Sequence, residues 1–299
     1  MNNGSPVIAL SGVVKTFGHV RALDGLDFIV EEASAHGFLG PNGAGKTTTQ
    51  RILLGLLRAD SGSLRLFGAD PWRDSLDLHR RLAYVPGEVT LWPALSGGET
   101  IDVLGRLRTG YRPDRRDELV AKFDLDPRKK VSSYSKGNRQ KVALIAALAC
   151  DVDLYLFDEP TDGLDPLMAE VFRDCVRELH AAGRTVVLSS HVLAEVDAVC
   201  DRVSIIRSGR TVETGELTAL RHLARSTVMA TVARPVDLSG LDGVHDAQVA
   251  GSRIEASVDA SGVPALIDRL AAAGIASLEI RPPTLEEMFM RYYDRDAGT

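Results

Sequence analysis

Hydrophobic and polar positions interleave over residues 7–30, as in Val7-Ile8-Ala9-Leu10 and Leu26-Asp27-Phe28-Ile29-Val30, and predict antiparallel strands. The short apolar run Gly37-Phe38-Leu39 reads as a strand entering a glycine-rich turn, with a helix from Thr48 to Leu57 after it. Arg58 to Ser63 is a turn, and Leu64 to Gly68 a further strand. Residues 75–150 read as mainly helical, with Leu76, Leu82, Ile101, Val103, Leu104 and Leu107 at helical intervals. Pro86-Gly87 and Trp92-Pro93 break that run, and the almost uniformly apolar stretch 142–149 predicts a buried helix. Two apolar strands follow. Asp153 to Pro160 contains the paired carboxylates Asp158 and Glu159 at its end, and Thr185 to His191 ends in a histidine. Val203 to Arg207, the turn Ser208-Gly209, and Arg210 to Glu213 read as a hairpin.

Strands alternating with helices predict an α/β domain with a parallel sheet, whose ligands sit at the carboxyl ends of the strands. The glycine-rich turn, the two carboxylates and His191 all fall at such ends. Past about residue 216 the pattern changes. Strands are expected at 227–232, 252–258 and 277–281, and a helix at 264–273. Pro282-Pro283 then precedes Thr284-Leu285-Glu286-Glu287, a capping box opening a helix from Leu285 to Tyr293.

The chain has 299 residues, room for two domains. Its net charge of −6 argues against a broad nucleic-acid surface. Charged or polar residues interrupt every apolar run before membrane-spanning length, and the first residues lack a signal-peptide pattern, so a cytoplasmic protein is expected. Cys150, Cys175 and Cys200 are widely spaced, unlike clustered metal ligands.

The turn itself reads Gly40-Pro41-Asn42-Gly43-Ala44-Gly45-Lys46-Thr47-Thr48, the spacing G-x-x-x-x-G-K-T of a phosphate-binding loop. Glycines let consecutive N–H groups turn inward on phosphate oxygens. Lys46 is placed for the β- and γ-phosphates, and the Thr47 hydroxyl for the Mg²⁺ that bridges them. Asp158 is the expected partner of that ion, and Glu159 is placed to polarise a water, which makes the chain a hydrolase. His191 is read as holding that water or the γ-phosphate. Phe17, in the turn between the first two strands, offers a ring on which a base can stack.

Tyr134-Ser135-Lys136-Gly137-Asn138-Arg139-Gln140-Lys141 opens the apolar helix just before the carboxylate strand. With it, the chain resembles the ATP-binding subunits of ABC transporters, over roughly residues 6–215. Y-S-K-G-N stands where that family has L-S-G-G-Q, and Ser135 and Gly137 are retained. The resemblance implies a P-loop ABC ATPase domain over 6–218, with a mixed sheet and a helical subdomain at about 88–150, and a small α+β domain over 219–299. It implies ATP and Mg²⁺ as cofactors, Phe17 as the adenine-stacking aromatic and His191 as the switch histidine. It also implies that Gly163-Leu164-Asp165 crosses a dimer seam, with Asp165, Ser135 and Gly137 completing a second subunit's site. The implied partners are an integral-membrane permease and a second ATP-binding subunit, at the cytoplasmic face of the membrane.

Leu95-Ser96-Gly97-Gly98-Glu99 imitates the family signature but lies too far before Asp158, and reads as a turn and helix cap. After Tyr84-Val85-Pro86 the family has a glutamine; here stand Gly87 and Glu88, so either Glu88 reaches the ion or the site runs without that ligand. The details of Y-S-K-G-x-R-Q-K, Pro86-Gly87-Glu88 and Pro283-Thr284-Leu285-Glu286-Glu287 resemble drug-resistance exporters of the daunorubicin and polyketide-antibiotic type. Importers, lipid or polymer exporters and soluble non-transport ABC ATPases are the alternatives. Leu91 and Trp92, just past Gly87, are expected to line the groove that receives the permease.

Overall fold

The computed structural model describes residues 6–219, 225–259 and 261–281. The helix expected from Leu285 to Tyr293 lies outside them. The chain divides into two compact units, 1–215 and 216–299.

In the first unit, β1 (Ile8–Phe17) pairs antiparallel with β2 (Val20–Val30) and with β4 (Ser61–Leu66), giving the order β2-β1-β4. A second sheet of six strands runs β5 (Leu82–Val85), β6 (Leu154–Asp158), β7 (Thr185–Ser190), β3 (Ala35–Leu39), β8 (Arg202–Arg207), β9 (Arg210–Glu216). Strands β5, β6, β7, β3 and β8 are parallel neighbours. β3, β6 and β7 are buried at every position, which is why they read as continuous apolar runs. β8 and β9 turn on Ser208 (φ 48°) and Gly209 (φ 73°), a two-residue hairpin turn. Phe28, Phe38, Ile52, Leu66, Leu156 and Val187 belong to one core that joins the two sheets.

β3 leads through the glycine-rich loop into α1 (Lys46–Leu53). This helix stops four residues before the expected Leu57. Gly55 takes φ 64°, its N–H bonds the Ile52 carbonyl (3.0 Å), and the Leu56 N–H bonds that of Arg51 (2.9 Å), a Schellman stop. The stretch 75–150 holds α2 (Ser75–His79), α3 (Gly97–Arg106), α4 (Pro113–Lys122) and α5 (Lys136–Leu148), but also the strand β5. α3 opens with a capping box between Ser96 and Glu99. The glycines of the false signature serve packing: a Cβ on Gly97 would lie 2.3 Å from the Tyr134 hydroxyl, and one on Gly98 would lie 3.2 Å from the Pro127 carbonyl oxygen. α6 (Pro166–Ala181) and α7 (Leu193–Val199) complete this unit.

In the second unit β10 (Ser226–Val232), β11 (Val244–Ala250), β12 (Arg253–Val258) and β13 (Ile275–Arg281) form an antiparallel sheet ordered β11-β12-β10-β13. Val228, Ala230, Ile254 and Ala256 share a core with Leu266 and Leu270 of α8 (Val263–Ala273). β11 was not expected from the sequence. Five of its seven residues are exposed and its register slips between His245 and Gln248, so it carries no alternation.

Candidate nucleotide site

β6, β7 and β3 lie side by side, with Asp158 opposite Ser189 and Leu39 opposite Ser190. Their carboxyl ends therefore deliver the P-loop, the two carboxylates and His191 to one place, as expected of the sheet. The loop's shape depends on two close approaches. A Cβ on Gly40 would stand 2.4 Å from the Ile206 carbonyl oxygen. Gly45, at φ 112°, precedes α1, and a Cβ there would stand 2.8 Å from the Ala22 carbonyl oxygen. No side chain caps α1. Its first N–H groups and its dipole thus favour an anion at the loop.

The polar side chains interlock across long sequence separations. Lys46 is 6% exposed; its Nζ donates to the Gly40 carbonyl at 2.5 Å and lies 3.3 Å from Glu159 Oε1. Thr47 Oγ1 donates to Asp158 Oδ2 at 3.1 Å, and Ser189 Oγ donates to Oδ1. Asp158 is 2% exposed, so these hydroxyls satisfy a carboxylate that water scarcely reaches. Among the described residues no group of three or more His, Cys, Asp or Glu side chains is placed to hold a metal. A hydroxyl beside one carboxylate is instead the hard-oxygen pair that suits Mg²⁺, which takes its other ligands from phosphates and water.

Glu159 takes φ 47°, a left-handed conformation that costs a non-glycine residue about 1–3 kcal/mol. Its N–H bonds the Ser189 carbonyl at 3.0 Å, which fixes the turn. Oε2 lies 2.7 Å from His191 Nδ1, and Oε1 is buried with no hydrogen-bond partner. One carboxylate oxygen is thus held by the Lys46 ion pair alone, with no hydrogen bond. Such an atom can take a proton from a water placed against it.

The remaining expected residues are not bonded to this cluster. Phe17 is half exposed at the β1–β2 turn, with the Lys15 ammonium 5.5 Å from its ring centroid. Lys15 is anchored by Asp60 at 2.7 Å, and that bond, together with the Thr16 N–H, holds the Asp60 carboxyl below its ordinary range. Ser135 caps α5 by accepting from the Asn138 N–H, and Asp165 caps α6 by accepting from the Met168 N–H at 2.9 Å. A Cβ on Gly137 would lie 2.4 Å from the Gly163 carbonyl oxygen, so the start of α5 rests on the turn that follows Glu159. Gln140 Nε2, buried, donates to the Pro160 carbonyl at 2.9 Å and ties the same two segments.

Gly87 stands beside the carboxylates: a Cβ there would be 3.3 Å from the Asp158 carbonyl oxygen. Glu88 is exposed, and among the described contacts it has no hydrogen bond to Asp158 or Glu159. Ser189, Ser190, Thr161 and Glu195 were not singled out by the sequence, and Gln140 entered only as part of the stretch that opens α5. For the first four, the only local signal was the pair of serines directly before His191.

The ABC transporter family profile matches residues 23–162, which include the P-loop, Ser135, Gly137 and both carboxylates. A daunorubicin resistance ATP-binding protein of Streptomyces coeruleorubidus is 35% identical over 302 residues, spanning 95% of this chain and 94% of that protein. The chain belongs to the ATP-binding proteins of ABC transporters. A daunorubicin/doxorubicin resistance ATP-binding protein of Streptomyces peucetius is 38% identical over 74% of this chain and 69% of its own length. Among solved structures, an ATP-binding subunit of an ABC transporter superposes with a TM-score of 0.67 at 26% identity, covering 73% of this chain and 92% of that one. This ABC protein is an ATPase of mixed α/β fold, with drug-resistance proteins among its relatives. No helix among its described residues is long and apolar enough to cross a membrane.

Proposed function

We propose that this ABC ATPase is the energy-coupling subunit of an exporter, hydrolysing ATP to drive efflux of a drug- or antibiotic-like molecule through a separate integral-membrane permease. The Oε1 of Glu159, which has no hydrogen bond and is held only by its ion pair with Lys46 at 3.3 Å, is the observation that carries the catalytic part. Residues 40–48 wrap the phosphates with backbone N–H groups, and Lys46 leaves the Gly40 carbonyl and Glu159 for the β- and γ-phosphates. Thr47 and Asp158 hold Mg²⁺, which when bound neutralises charge on the phosphates. Glu159 accepts the water's proton, and His191, bonded to its other oxygen, fixes the carboxylate and meets the γ-phosphate. Phe17 stacks on adenine. Ser135 and Gly137, at the start of α5, and the Gly163–Asp165 turn complete the site of a second ATP-binding subunit.

The ATPase docks on its permease at the cytoplasmic face of the membrane. The surface best suited to this is a pocket of about 250 Å³ lined by Leu54, Leu56, His79, Tyr84, Leu104 and Leu107, where β5 meets α3. Leu56 and Leu107 are 65% and 72% exposed, unusual for leucine. Leu91 and Trp92 do not line it, although Trp92 is exposed. We place the docking surface at Leu54 and Leu56, just past α1, and at Leu104 and Leu107, at the end of α3. The relatives' names support daunorubicin as a probe of cargo. Membrane vesicles containing the full chain and its permease should move daunorubicin when ATP is supplied, and should fail with Lys46→Ala. Transport that persists in that variant, or ATP turnover with no permease bound in cell membranes, overturns the proposal.

A further inference from the structure

The Glu195 carboxylate, in the first turn of α7, bridges two loops that the catalytic reading treats separately. One oxygen accepts from the Thr161 hydroxyl, two residues past Glu159. The other accepts from the Ser190 hydroxyl at 2.8 Å, one residue before His191. Ser190 Oγ in turn accepts from the Val192 N–H at 2.9 Å, so the whole Ser190-His191-Val192 turn hangs on this carboxylate. Glu195 sits on a fixed support. Its neighbour Val196 is fully buried, and α7 lies so close to β3 that a Cβ on Gly37 would stand 2.2 Å from Val196 Cγ1. β3 is the strand that leads into the P-loop.

We propose that Glu195 is a positioning residue for ATP hydrolysis, clamping the His191 turn to the Glu159 turn so that the imidazole and the carboxylate meet. Both turns need an external constraint. Glu159 is held at φ 47°, a conformation that relaxes unless its neighbours over-determine it. His191 is half exposed, and its side chain is anchored at Nδ1 by Glu159. Without the bridge, Thr161 and Ser190 each lose their shared acceptor, and the 2.7 Å contact between His191 and Glu159 is no longer enforced from behind. Glu195 is bonded to neither Lys46 nor Thr47 in the described contacts, so nucleotide binding should not depend on it.

This inference rests on the reading of Glu159 and His191 as catalytic, and a double-mutant cycle separates the two. ATP turnover and KM are measured in the full chain for His191→Ala, Glu195→Ala and the pair, with Glu195→Gln as the conservative variant. Glu195→Ala is expected to lower kcat at least tenfold with KM for ATP within twofold. Glu195→Gln, which keeps an oxygen acceptor, should recover part of that loss. In the His191→Ala background, Glu195→Ala should cost less than threefold more, because its effect passes through His191. A full additional tenfold loss in the double variant, or a KM that rises with kcat unchanged, overturns the positioning role. An unaltered kcat for His191→Ala instead overturns the catalytic reading itself. Should Glu195→Ala not fold, Ser190→Ala removes one arm of the bridge and must show the same kcat loss with unchanged KM, or the proposal fails.

Discussion

Lys46 Nζ lies 3.3 Å from Glu159 Oε1, and both groups are largely withdrawn from water, at 6% and 20% side-chain exposure. The phosphate-binding cation and the proposed base are thus partners before they are catalysts. Lys46→Ala removes the one lysine of the P-loop and leaves Glu159 with His191 alone. Each charge-assisted bond lost to the nucleotide is worth about 1.5–3 kcal/mol. Hydrolysis should vanish and ATP affinity should fall at least tenfold, measured by turnover and by equilibrium binding of a fluorescent ATP analogue. Unchanged turnover in the pure variant would remove Lys46 from the site.

His36, the second residue of β3, gives the fold an acid limit. Burial, reinforced by the positive charge of Arg202, holds its pKa down to about 3 against an ordinary 6.5. Its Nε2 pairs with the Ser204 hydroxyl while Nδ1 has no partner, so the neutral ring is the folded form. The unfolded chain takes up the proton first. Stability is therefore complete above pH 6.5 and falls as pH drops from 6.5 toward 3, by up to about 1.4 kcal/mol per pH unit. Urea midpoints should fall from pH 6.5 to 5, before the carboxylates titrate, and His36→Gln should flatten that slope. An equal slope in the variant would place the sensitivity elsewhere.

Gly37 shows how tightly α7 is seated. Gly37→Ala puts a methyl group 2.2 Å from Val196 Cγ1, a clash that α7 must relieve by moving. Overpacking of this kind costs about 1–3 kcal/mol. The variant should show a lowered thermal midpoint and, because α7 carries the turn after His191, a lower kcat. A midpoint equal to that of the parent would mean that α7 is free to shift.

Leu107→Asp tests the docking pocket. The side chain is 72% exposed, so the fold should tolerate the charge and the isolated chain should keep its ATP turnover within twofold. Association with the permease should weaken at least tenfold, and more than with Trp92→Ala, since Trp92 lies outside the pocket. Co-purification titrated against the two variants reads the difference. A larger loss for Trp92→Ala would return the groove to the loop before α3.

Most of the site was legible because its chemistry is local. Residues 40–48 carry their function in consecutive backbone groups, and Asp158, Glu159 and His191 end apolar runs that could only be buried strands. What the sequence hid was short, exposed or remote. β5 has four residues between Arg81 and Pro86, too few to break a helical reading of its surroundings. β11 is exposed on both faces and bulged, so periodicity has nothing to report. The helix end at Leu53 was readable from Gly55 and was overrun. The bridge through Glu195 could not be found, because one of its two partners, Thr161, is 34 residues away and only the fold brings them together.

Glu159→Gln tests the central claim most directly. The amide keeps the shape of the carboxylate but cannot take a proton, so the variant separates binding from hydrolysis. Equilibrium ATP binding and single-turnover hydrolysis should be measured on the same preparation. ATP affinity should stay within a few-fold of the parent, ATP should trap a stable dimer on size-exclusion chromatography, and hydrolysis should fall by about 10²–10⁴-fold, the usual contribution of a general base. Hydrolysis near the parent rate, in a variant that still binds ATP, would contradict the assignment of Glu159 and the site built around it.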